Sequence, residues 1–395
     1  MTDLPVVRLQ TQRHKRVRLG HPWAFSNEVQ MDNAAKALPR GAAVRLETAH
    51  GEALGVAMFN AHTLIAARML DRDPAAKIDA AWIAKRIARA KALRERLFPG
   101  GHYRLIHAEA DGLPGLIVDR YGDVAVVQRN AAGIEAMGEA LFDALAREIA
   151  PKTIVLRDDS HARALEGLPQ RLEIRGAALE GPIPVAENGA AFFADPREGQ
   201  KTGWFFDQRD NRANLARLCR GLRALDVYCY AGGFGVLAAK TGAVSVKLVD
   251  RSQTALDLAA RAADANGVSD RCAFERAEAF DFLDAQARAG AVWDVVSADP
   301  PAFAKSRKDV PAALKGYRKL ARAAAQVVAP GGILFVASCS HNVEPAAFAE
   351  EVARGVSEAG RPARILGEGR AAADHPLHPM LPESAYLKAL ILALD

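Results

Sequence analysis

Cysteine is scarce in this chain of 395 residues, which has four. They lie far apart without a C-x-x-C pair, which argues against a disulfide framework and against a zinc site. No apolar run approaches the roughly 18 residues of a membrane-spanning helix, and the first twelve residues lack the apolar stretch of a secretory signal. We therefore expect free thiols, no bound metal, no membrane contact and a cytoplasmic location.

Charge and apolar content are ordinary, with 25% charged and 50% hydrophobic residues, as in a globular protein of two or three domains. The net charge of +5 mildly favours a polyanionic partner. Basic residues crowd the start of the chain, ahead of the aromatic segment 21–25. Those that could follow an RNA phosphate backbone are Arg13, Lys15, Arg16 and Arg18. A solvated surface is the competing interpretation.

The first 72 residues predict short strands at 43–46, 54–58 and 64–70, separated by turns as in a small barrel. Asp73 and Pro74 then predict the start of a helix, with Asp73 as its N-cap. The expected apolar face of that helix consists of Ile83, Ile87, Ala90 and Leu97. A further helix is expected over residues 135–149.

A glycine loop follows an apolar, β-prone segment in the second half of the chain. Residues 223–229 predict a strand and residues 234–240 a helix start, so the loop lies at a strand-to-helix turn. Its candidate cofactor-binding residues are Tyr230, Gly232, Gly233 and Gly235. The loop also satisfies the dinucleotide spacing G-x-G-x-x-A, which leaves a dehydrogenase open. Glycines that only allow close helix packing are another alternative.

Polar residues follow the next two predicted strands. Residues 245–249 lead to Asp250, whose carboxylate suits the hydroxyls of a ribose. Residues 272–275 precede Glu278 and Ala279, which we expect near an adenine ring. Further candidate cofactor contacts are Arg251 and, from a dense polar and aromatic segment ahead of the sheet, Lys201, Thr202, Asp207 and Gln208. That segment is alternatively a capped helix start, with Asp207 as the N-cap.

The fourth predicted strand, residues 292–298, ends at Asp299, which is followed by Pro300 and Pro301. Prolines fix φ and lack an N–H, so Asp299 and the nearby carbonyls form a rigid row of acceptors that suits an amino-bearing base. Phe303 could stack on that base or belong to the core. Such a row has no hydride-transfer role that we can argue. S-adenosylmethionine therefore fits better than a nicotinamide dinucleotide, with Asp299 also among its candidate contacts.

Cys339 closes the next predicted strand, residues 332–337, and should face the Asp299 row. Cytosine C5 is too weak a nucleophile to take a methyl group directly. A thiolate that adds to C6 makes an enamine whose C5 can attack a sulfonium methyl. The position of Cys339 favours this chemistry, whereas a buried and inert thiol is the usual fate of cysteine.

Several motifs together resemble the bacterial large-subunit ribosomal RNA cytosine-C5 methyltransferases, in particular the single-chain members with an N-terminal PUA domain. In chain order the motifs are His21-Pro22-Trp23-Ala24-Phe25-Ser26, Asp111-Gly112-Leu113-Pro114-Gly115-Leu116, residues 201–209, Tyr230-Ala231-Gly232-Gly233-Phe234-Gly235, Asp299-Pro300-Pro301 and Ser338-Cys339-Ser340. The resemblance implies S-adenosylmethionine as cofactor and large-subunit ribosomal RNA as partner. It also implies Cys339 as the nucleophile and Asp299 as the group that holds the cytosine.

The resemblance further implies an α/β fold in three domains. These are a PUA β-barrel over residues 1–72, an α/β linking domain over 73–185 and a class I, Rossmann-like methyltransferase domain over 186–395. Two departures stand out. Pro301 and Ala302 stand where better-known RNA cytosine methyltransferases carry a second cysteine after the fourth-strand proline, and Glu278 replaces the usual aspartate. DNA cytosine methyltransferases place their nucleophile after the fourth-strand proline, so the chain does not resemble them.

Two other functions stay open from the sequence. One is methylation of a purine, at an exocyclic amino group or guanine N7, for which Cys339 would be dispensable. The other is a non-catalytic RNA-binding assembly factor that keeps the fold for its surface. The sequence does not indicate the target nucleotide, the group that removes the C5 proton or the oligomeric state, for which a homodimer stays open.

Overall fold

A computed structural model describes residues 4–395 and divides them into two compact units. The first unit holds residues 4–181, 195–203 and 374–382, and the second holds residues 182–194, 204–373 and 383–395. Across this described range, no helix combines the length and apolarity needed to cross a membrane. The three-domain division stays a prediction, and its first three residues lie outside the described part of the chain.

The first unit begins with a five-stranded sheet in the order β1-β3-β4-β5-β2. Its elements are β1 (Val6–Arg8), α1 (Lys15–Arg18), β2 (Trp23–Ala24), α2 (Asn33–Ala37), β3 (Ala42–Glu47), β4 (Ala53–Phe59) and β5 (Ala67–Asp71). The strand predicted from residue 64 begins three residues later. The reason is a turn in which the Thr63 hydroxyl donates to the Ile65 carbonyl at 2.8 Å.

A second five-stranded sheet of this unit has the order β10-β9-β8-β7-β6, with β8 and β9 parallel. Its elements are α3 (Ala80–Leu97), β6 (His102–His107), β7 (Leu116–Tyr121), β8 (Val124–Arg129), α4 (Ala132–Ala136), α5 (Glu139–Ile149), β9 (Thr153–Asp158), α6 (His161–Glu166) and β10 (Arg171–Gly176). The helix predicted over 135–149 is therefore two helices, broken at Met137 and Gly138.

The predicted helix start at Asp73 and Pro74 was wrong. Asp73 only closes a turn, whereas Asp79 caps α3 by accepting from the Trp82 N–H at 2.9 Å. One apolar position was also wrong, since Leu97 is exposed. The side chain of Arg94 is fully buried instead, because it forms a bidentate ion pair with Asp111 at 2.6 and 2.7 Å.

The second unit is built on a seven-stranded sheet in the order β15-β14-β13-β16-β17-β19-β18, beside the hairpin β11–β12. Its strands are β11 (Ile183–Glu187), β12 (Ala190–Ala194), β13 (Arg223–Val227), β14 (Ser245–Asp250), β15 (Cys272–Arg276), β16 (Trp293–Ala298), β17 (Val328–Ser338), β18 (Ala363–Arg370) and β19 (Lys388–Leu394). Its helices are α7 (Arg209–Ala216), α8 (Gly233–Lys240), α9 (Gln253–Ala265), α10 (Ala279–Arg288), α11 (Val310–Gln326) and α12 (Pro345–Glu358).

The strand directions of this sheet decide where its ligands bind. Strands β13 to β17 are parallel, whereas β19 runs antiparallel to both β17 and β18. The strand order reverses between β13 and β16, and open α/β sheets bind ligands at the carboxyl ends of strands beside such a point. The polar residues predicted after β13, β14, β16 and β17 therefore meet at one edge, and the predicted α/β class is confirmed.

Candidate active site

The glycine loop after β13 has an unusual backbone. Tyr228, Tyr230 and Gly232 all have positive φ, at 61°, 47° and 79°. A left-handed backbone conformation costs free energy in residues other than glycine, and such residues occur often at functional sites. The loop is held in place from the next strand, because the Tyr230 N–H donates to Asp250 at 2.9 Å. Tyr228 could not be predicted from the sequence, since its strained backbone depends on the turn itself.

Two glycines of this loop are required by packing within the protein. A Cβ on Gly233 would lie 2.4 Å from Arg212 Nε, and one on Gly235 would lie 2.7 Å from a methyl carbon of Leu248. The alternative that glycines allow close helix packing therefore holds at both positions. Close packing also brings the first turn of α8 against β13, where the Gly235 N–H donates to the buried Asp226 at 2.8 Å.

Charged groups gather around the Tyr228 hydroxyl. The pKa of Tyr228 is raised to about 12, mainly by burial and also by the nearby Glu278 carboxylate, while Arg251 acts in the opposite direction. The Asp250 carboxylate is fixed by two backbone donors, the N–H groups of Tyr230 and Ser252, each at 2.9 Å. The structure thus brings together residues that the sequence placed after β14 and β15.

The pKa of Asp299, directly after β16, is raised to about 7. Burial of the carboxylate is the main cause, and the nearby Asp207 carboxylate adds to it. The Arg212 guanidinium and a hydrogen bond from the Gln208 side chain act in the opposite direction. Near neutral pH this carboxyl group can therefore hold a proton and donate it in a hydrogen bond.

Asp207 is not the N-cap that the sequence suggested. Helix α7 begins at Arg209 with Gln208 at the N-cap position, and neither side chain caps it. The Asp207 carboxylate instead accepts from the Tyr386 hydroxyl at 2.6 Å. Its backbone carbonyl accepts from the Ala372 N–H at 2.9 Å. Asp207 is thereby fixed next to Asp299 by residues near the far end of the chain.

Arg212 is a buried cation that sequence reasoning missed. It pairs with Glu187 at 2.7 Å and lies over the Trp204 ring, whose indole N–H donates to the same carboxylate at 3.0 Å. Its Nε is buried and has no hydrogen-bond partner within residues 4–395. The charge of Arg212 also opposes the rise that burial causes in the pKa of Asp226 and of Asp299. The pairing of Arg212 on α7 with Glu187 could not be predicted from the spacing of these residues along the chain.

Cys339 lies directly after β17 and is half-buried, with its Sγ 4.0 Å from the carbonyl oxygen of Pro300. A chain of hydroxyls fixes its two neighbours. Ser338 Oγ donates to the Tyr317 hydroxyl at 2.8 Å, and that hydroxyl lies 2.8 Å from Ser340 Oγ. Ser340 Oγ in turn accepts from the Ala304 N–H at 3.3 Å, so the Cys339 and Asp299 segments are joined.

The other three thiols are held as neutral groups by burial. Burial raises the pKa of Cys219 to about 12 and that of Cys272 to about 11, and it also raises that of Cys229. Cys229 follows the end of β13, so it too lies near a strand end, but it is almost completely buried. A thiol must ionise to act as a nucleophile. Cys339 is therefore the best candidate.

The residues after Asp299 differ in their exposure. Pro301 is exposed, whereas Pro300 is buried. Phe303 is half-buried and stacks on the Tyr317 ring, with 4.7 Å between the ring centroids. These contacts support the interpretation of Phe303 as a core residue and not the one in which it stacks on the base.

The profile of the S-adenosylmethionine-dependent methyltransferase family matches residues 172–392, and that of the PUA-like domain matches residues 7–72. The chain belongs to the S-adenosylmethionine-dependent methyltransferases. The predicted cofactor, S-adenosylmethionine, and both predicted folds are thereby confirmed. The competing dehydrogenase interpretation is excluded.

Relatives of this methyltransferase match nearly its whole length. The chain is 37% identical to the ribosomal RNA large subunit methyltransferase I of Shewanella amazonensis, covering 98% of both chains. It is also 37% identical to the protein of that name from Aeromonas hydrophila, covering 96% of this chain and 97% of the other. Among solved structures, SMU.776 in complex with S-adenosylhomocysteine has a TM-score of 0.83 at 18% identity, covering 99% and 100% of the two chains, and shows the same fold.

The groups at the ends of β13 and β14 fit the cofactor. Asp250 keeps free acceptor capacity after its two backbone bonds, because a carboxylate can accept about four hydrogen bonds. That capacity suits the two hydroxyls of a ribose. Arg212 Nε supplies a buried donor without a partner in the described chain, close to Gly233 of the loop.

Two predicted cofactor contacts belong to the first unit. Lys201 is exposed and has a positive φ of 51°, whereas Thr202 is buried. The Thr202 carbonyl accepts from the Tyr121 hydroxyl at 3.1 Å. Their contact with the cofactor stays a prediction.

Two of the four predicted RNA-binding cations of the methyltransferase already have acidic partners. Arg16 pairs with Glu28 at 2.9 Å, and Arg18 pairs with Glu52. Arg13 and Lys15 are exposed on the same short segment. The nearby Trp23 is held by its indole N–H, which donates to Glu109 at 2.8 Å. The basic segment therefore combines structural ion pairs with cations that face solvent.

Proposed function

We propose that this methyltransferase modifies cytosine C5 in large-subunit ribosomal RNA, with Cys339 forming a covalent adduct at C6. The name shared by its full-length relatives supports the RNA substrate. The observation that carries the base and the mechanism is the position of a half-buried thiol 4.0 Å from the Pro300 carbonyl, next to Asp299.

The cofactor supplies an electrophilic methyl group, and the residues of the chain activate the base. Asp299, with its pKa of about 7, donates a hydrogen bond to the cytosine ring and favours its protonated form. The Cys339 thiolate forms a bond to C6, and the electron pair of the C5–C6 double bond becomes available at C5. After methylation, loss of the C5 proton restores the double bond, and the C6–S bond breaks to return the thiolate.

Asp250 would hold the ribose of the cofactor, with Glu278 and Ala279 near its adenine. Asp250 is fixed by two backbone donors and lies at the carboxyl end of β14, where this fold binds ligands. Asp207 and Gln208 act on Asp299 through charge and a hydrogen bond. We therefore assign them to the positioning of Asp299 and not to direct contact with the cofactor.

Incubation with RNA that contains 5-fluorocytosine tests the covalent step, because fluorine cannot leave C5 as a proton does. We expect a stable protein–RNA adduct. Cys339→Ala should abolish both the adduct and turnover while leaving the binding of S-adenosylhomocysteine unchanged. Cys272→Ser is the matched control, since that thiol is neutral and lies on β15.

Retention of RNA methylation by Cys339→Ala would overturn the covalent mechanism. It would favour the purine alternative, in which Asp299 and the nearby carbonyls bind an exocyclic amino group. Mass mapping of ribosomal RNA from a strain that lacks the protein would then name the base. Loss of the protein without loss of any methyl group would favour the non-catalytic alternative.

A further inference from the structure

Lys388, the first residue of β19, is a buried lysine that the proposed mechanism does not use. Its side chain is 7% exposed. The Nζ atom donates to the carbonyl oxygens of Ser340 and Val343, each at 2.6 Å, and to that of Tyr386 at 3.0 Å. Two of these carbonyls belong to the loop that immediately follows Cys339. The ammonium group thus fixes the nucleophile loop, residues 339–343.

The partners of Lys388 are unusual because they are all neutral. Within residues 4–395, Lys388 forms no salt bridge with a carboxylate, and a buried ammonium without a counter-ion is costly. Burial lowers its pKa to about 8, and the charges of Cys339 and Glu344 oppose this lowering. A methionine would fill the same space without that cost. A nearby anion would therefore stabilise the ammonium. Among the ionisable groups, the Cys339 thiol makes the largest contribution to raising the pKa of Lys388.

We propose that Lys388 is a positioning residue for Cys339, which orders the nucleophile loop and stabilises the thiolate form. The proposal rests on the proposed role of Cys339 as the nucleophile. Lys388 stays protonated on β19, and the thiol proton passes to solvent. The ammonium keeps its bonds to the three carbonyls, so its positive charge stabilises the thiolate through space and makes the thiolate less costly in a half-buried position.

Other ionisable groups around the loop modify this effect. Glu344 carries a negative charge that stabilises the ammonium and opposes the thiolate. The Tyr317 hydroxyl stays neutral, because burial raises its pKa. His341 and Tyr386 lie with ring centroids 4.9 Å apart, and the Tyr386 hydroxyl is committed to Asp207. Lys388 is thus a buried cation of this group whose hydrogen bonds reach the nucleophile loop.

The test measures the alkylation rate of Cys339 by iodoacetamide between about pH 5.5 and 9.5, on the full chain without RNA. A Cys272→Ser background removes the other half-buried thiol. In Lys388→Met and Lys388→Gln, we expect the rate at pH 7 to fall about tenfold, with the inflection of the pH profile moved up by about one unit. Lys388→Arg keeps the charge and should keep most of the reactivity.

The glutamine variant keeps the test decisive if the methionine variant does not fold, because its amide can still donate to the carbonyls. A rate that falls equally at every pH, with an unchanged inflection, would indicate a merely structural lysine and overturn the proposal. The proposed function fails separately, if Cys339→Ala still methylates RNA. Thiol reactivity is measured without substrate, so the two failures are distinguishable.

Discussion

Asp299 should make the folded protein less stable as the pH rises through neutrality, and Asp299→Asn should remove this effect. Its pKa is raised from 3.8 to about 7 by burial and by Asp207. Between these values the unfolded chain has lost the proton while the folded chain still binds it. Stability therefore falls with rising pH across this window, and the full loss is present above pH 7.

The size of this change in stability follows from the pKa shift of Asp299. A difference of about 3 pKa units corresponds to about 4 kcal/mol, since one unit is about 1.4 kcal/mol. Asp299 is half-buried, so water screens part of this value. We expect the free energy of unfolding of Asp299→Asn to exceed that of the natural protein by about 2 kcal/mol at pH 8. The gap should close as the pH falls towards 4.

Urea denaturation of both proteins at pH 4.5, 6, 7 and 8 measures this gap. Asp294→Asn, within the strand β16 that precedes Asp299, is the matched control. Burial alone would raise the pKa of Asp294, but the backbone and side-chain donors of Arg223 outweigh it and lower the pKa. That variant should be less stable than the natural protein at pH 8. A gap for Asp299→Asn that is absent, or that is the same at every pH, would refute the proton-holding role of Asp299.

Three further predictions concern binding and stability. Asp250→Ala should weaken S-adenosylhomocysteine binding by about 1–3 kcal/mol in calorimetry, and an unchanged affinity would remove Asp250 from the cofactor site. Replacing Arg13 and Lys15 by alanine should reduce the slope of log K against log salt for RNA binding by about 1.4, whereas an unchanged slope would identify a solvated surface. Arg94→Met leaves the buried Asp111 carboxylate without its ion-pair partner and should cost about 3–5 kcal/mol in urea denaturation; a loss below 1 kcal/mol would contradict this account.

The sequence was sufficient to place the residues that follow parallel strands. Apolar runs marked β13, β14, β16 and β17 to within a few residues, and a parallel sheet necessarily gathers their carboxyl ends. Asp250, Asp299 and Cys339 could therefore be assigned to one edge before their contacts were known. Local propensity was enough to find the strands, and their parallel arrangement then placed the residues that follow them at one edge.

Long-range partners could not be predicted in this way. Lys388 lies 48 residues beyond Ser340, and its bonds go to backbone carbonyls, which leave no trace in the sequence. The prediction of where α3 begins was wrong for a related reason. Asp73 and Asp79 both suit an N-cap, and the choice depends on Trp82, whose indole N–H donates to Asp71 at 2.8 Å. Tertiary contacts decided between two locally equivalent signals.

The position of β19 in the sheet has a consequence for folding during synthesis. β19 lies between β17 and β18, yet it is made after both, and it pairs with each in antiparallel register. Until it inserts, β17 has an open edge that can pair with another chain. The nucleophile loop also lacks the Lys388 anchor at that stage. A nascent chain therefore gains its ordered thiol at a late step, when the fold around it is complete.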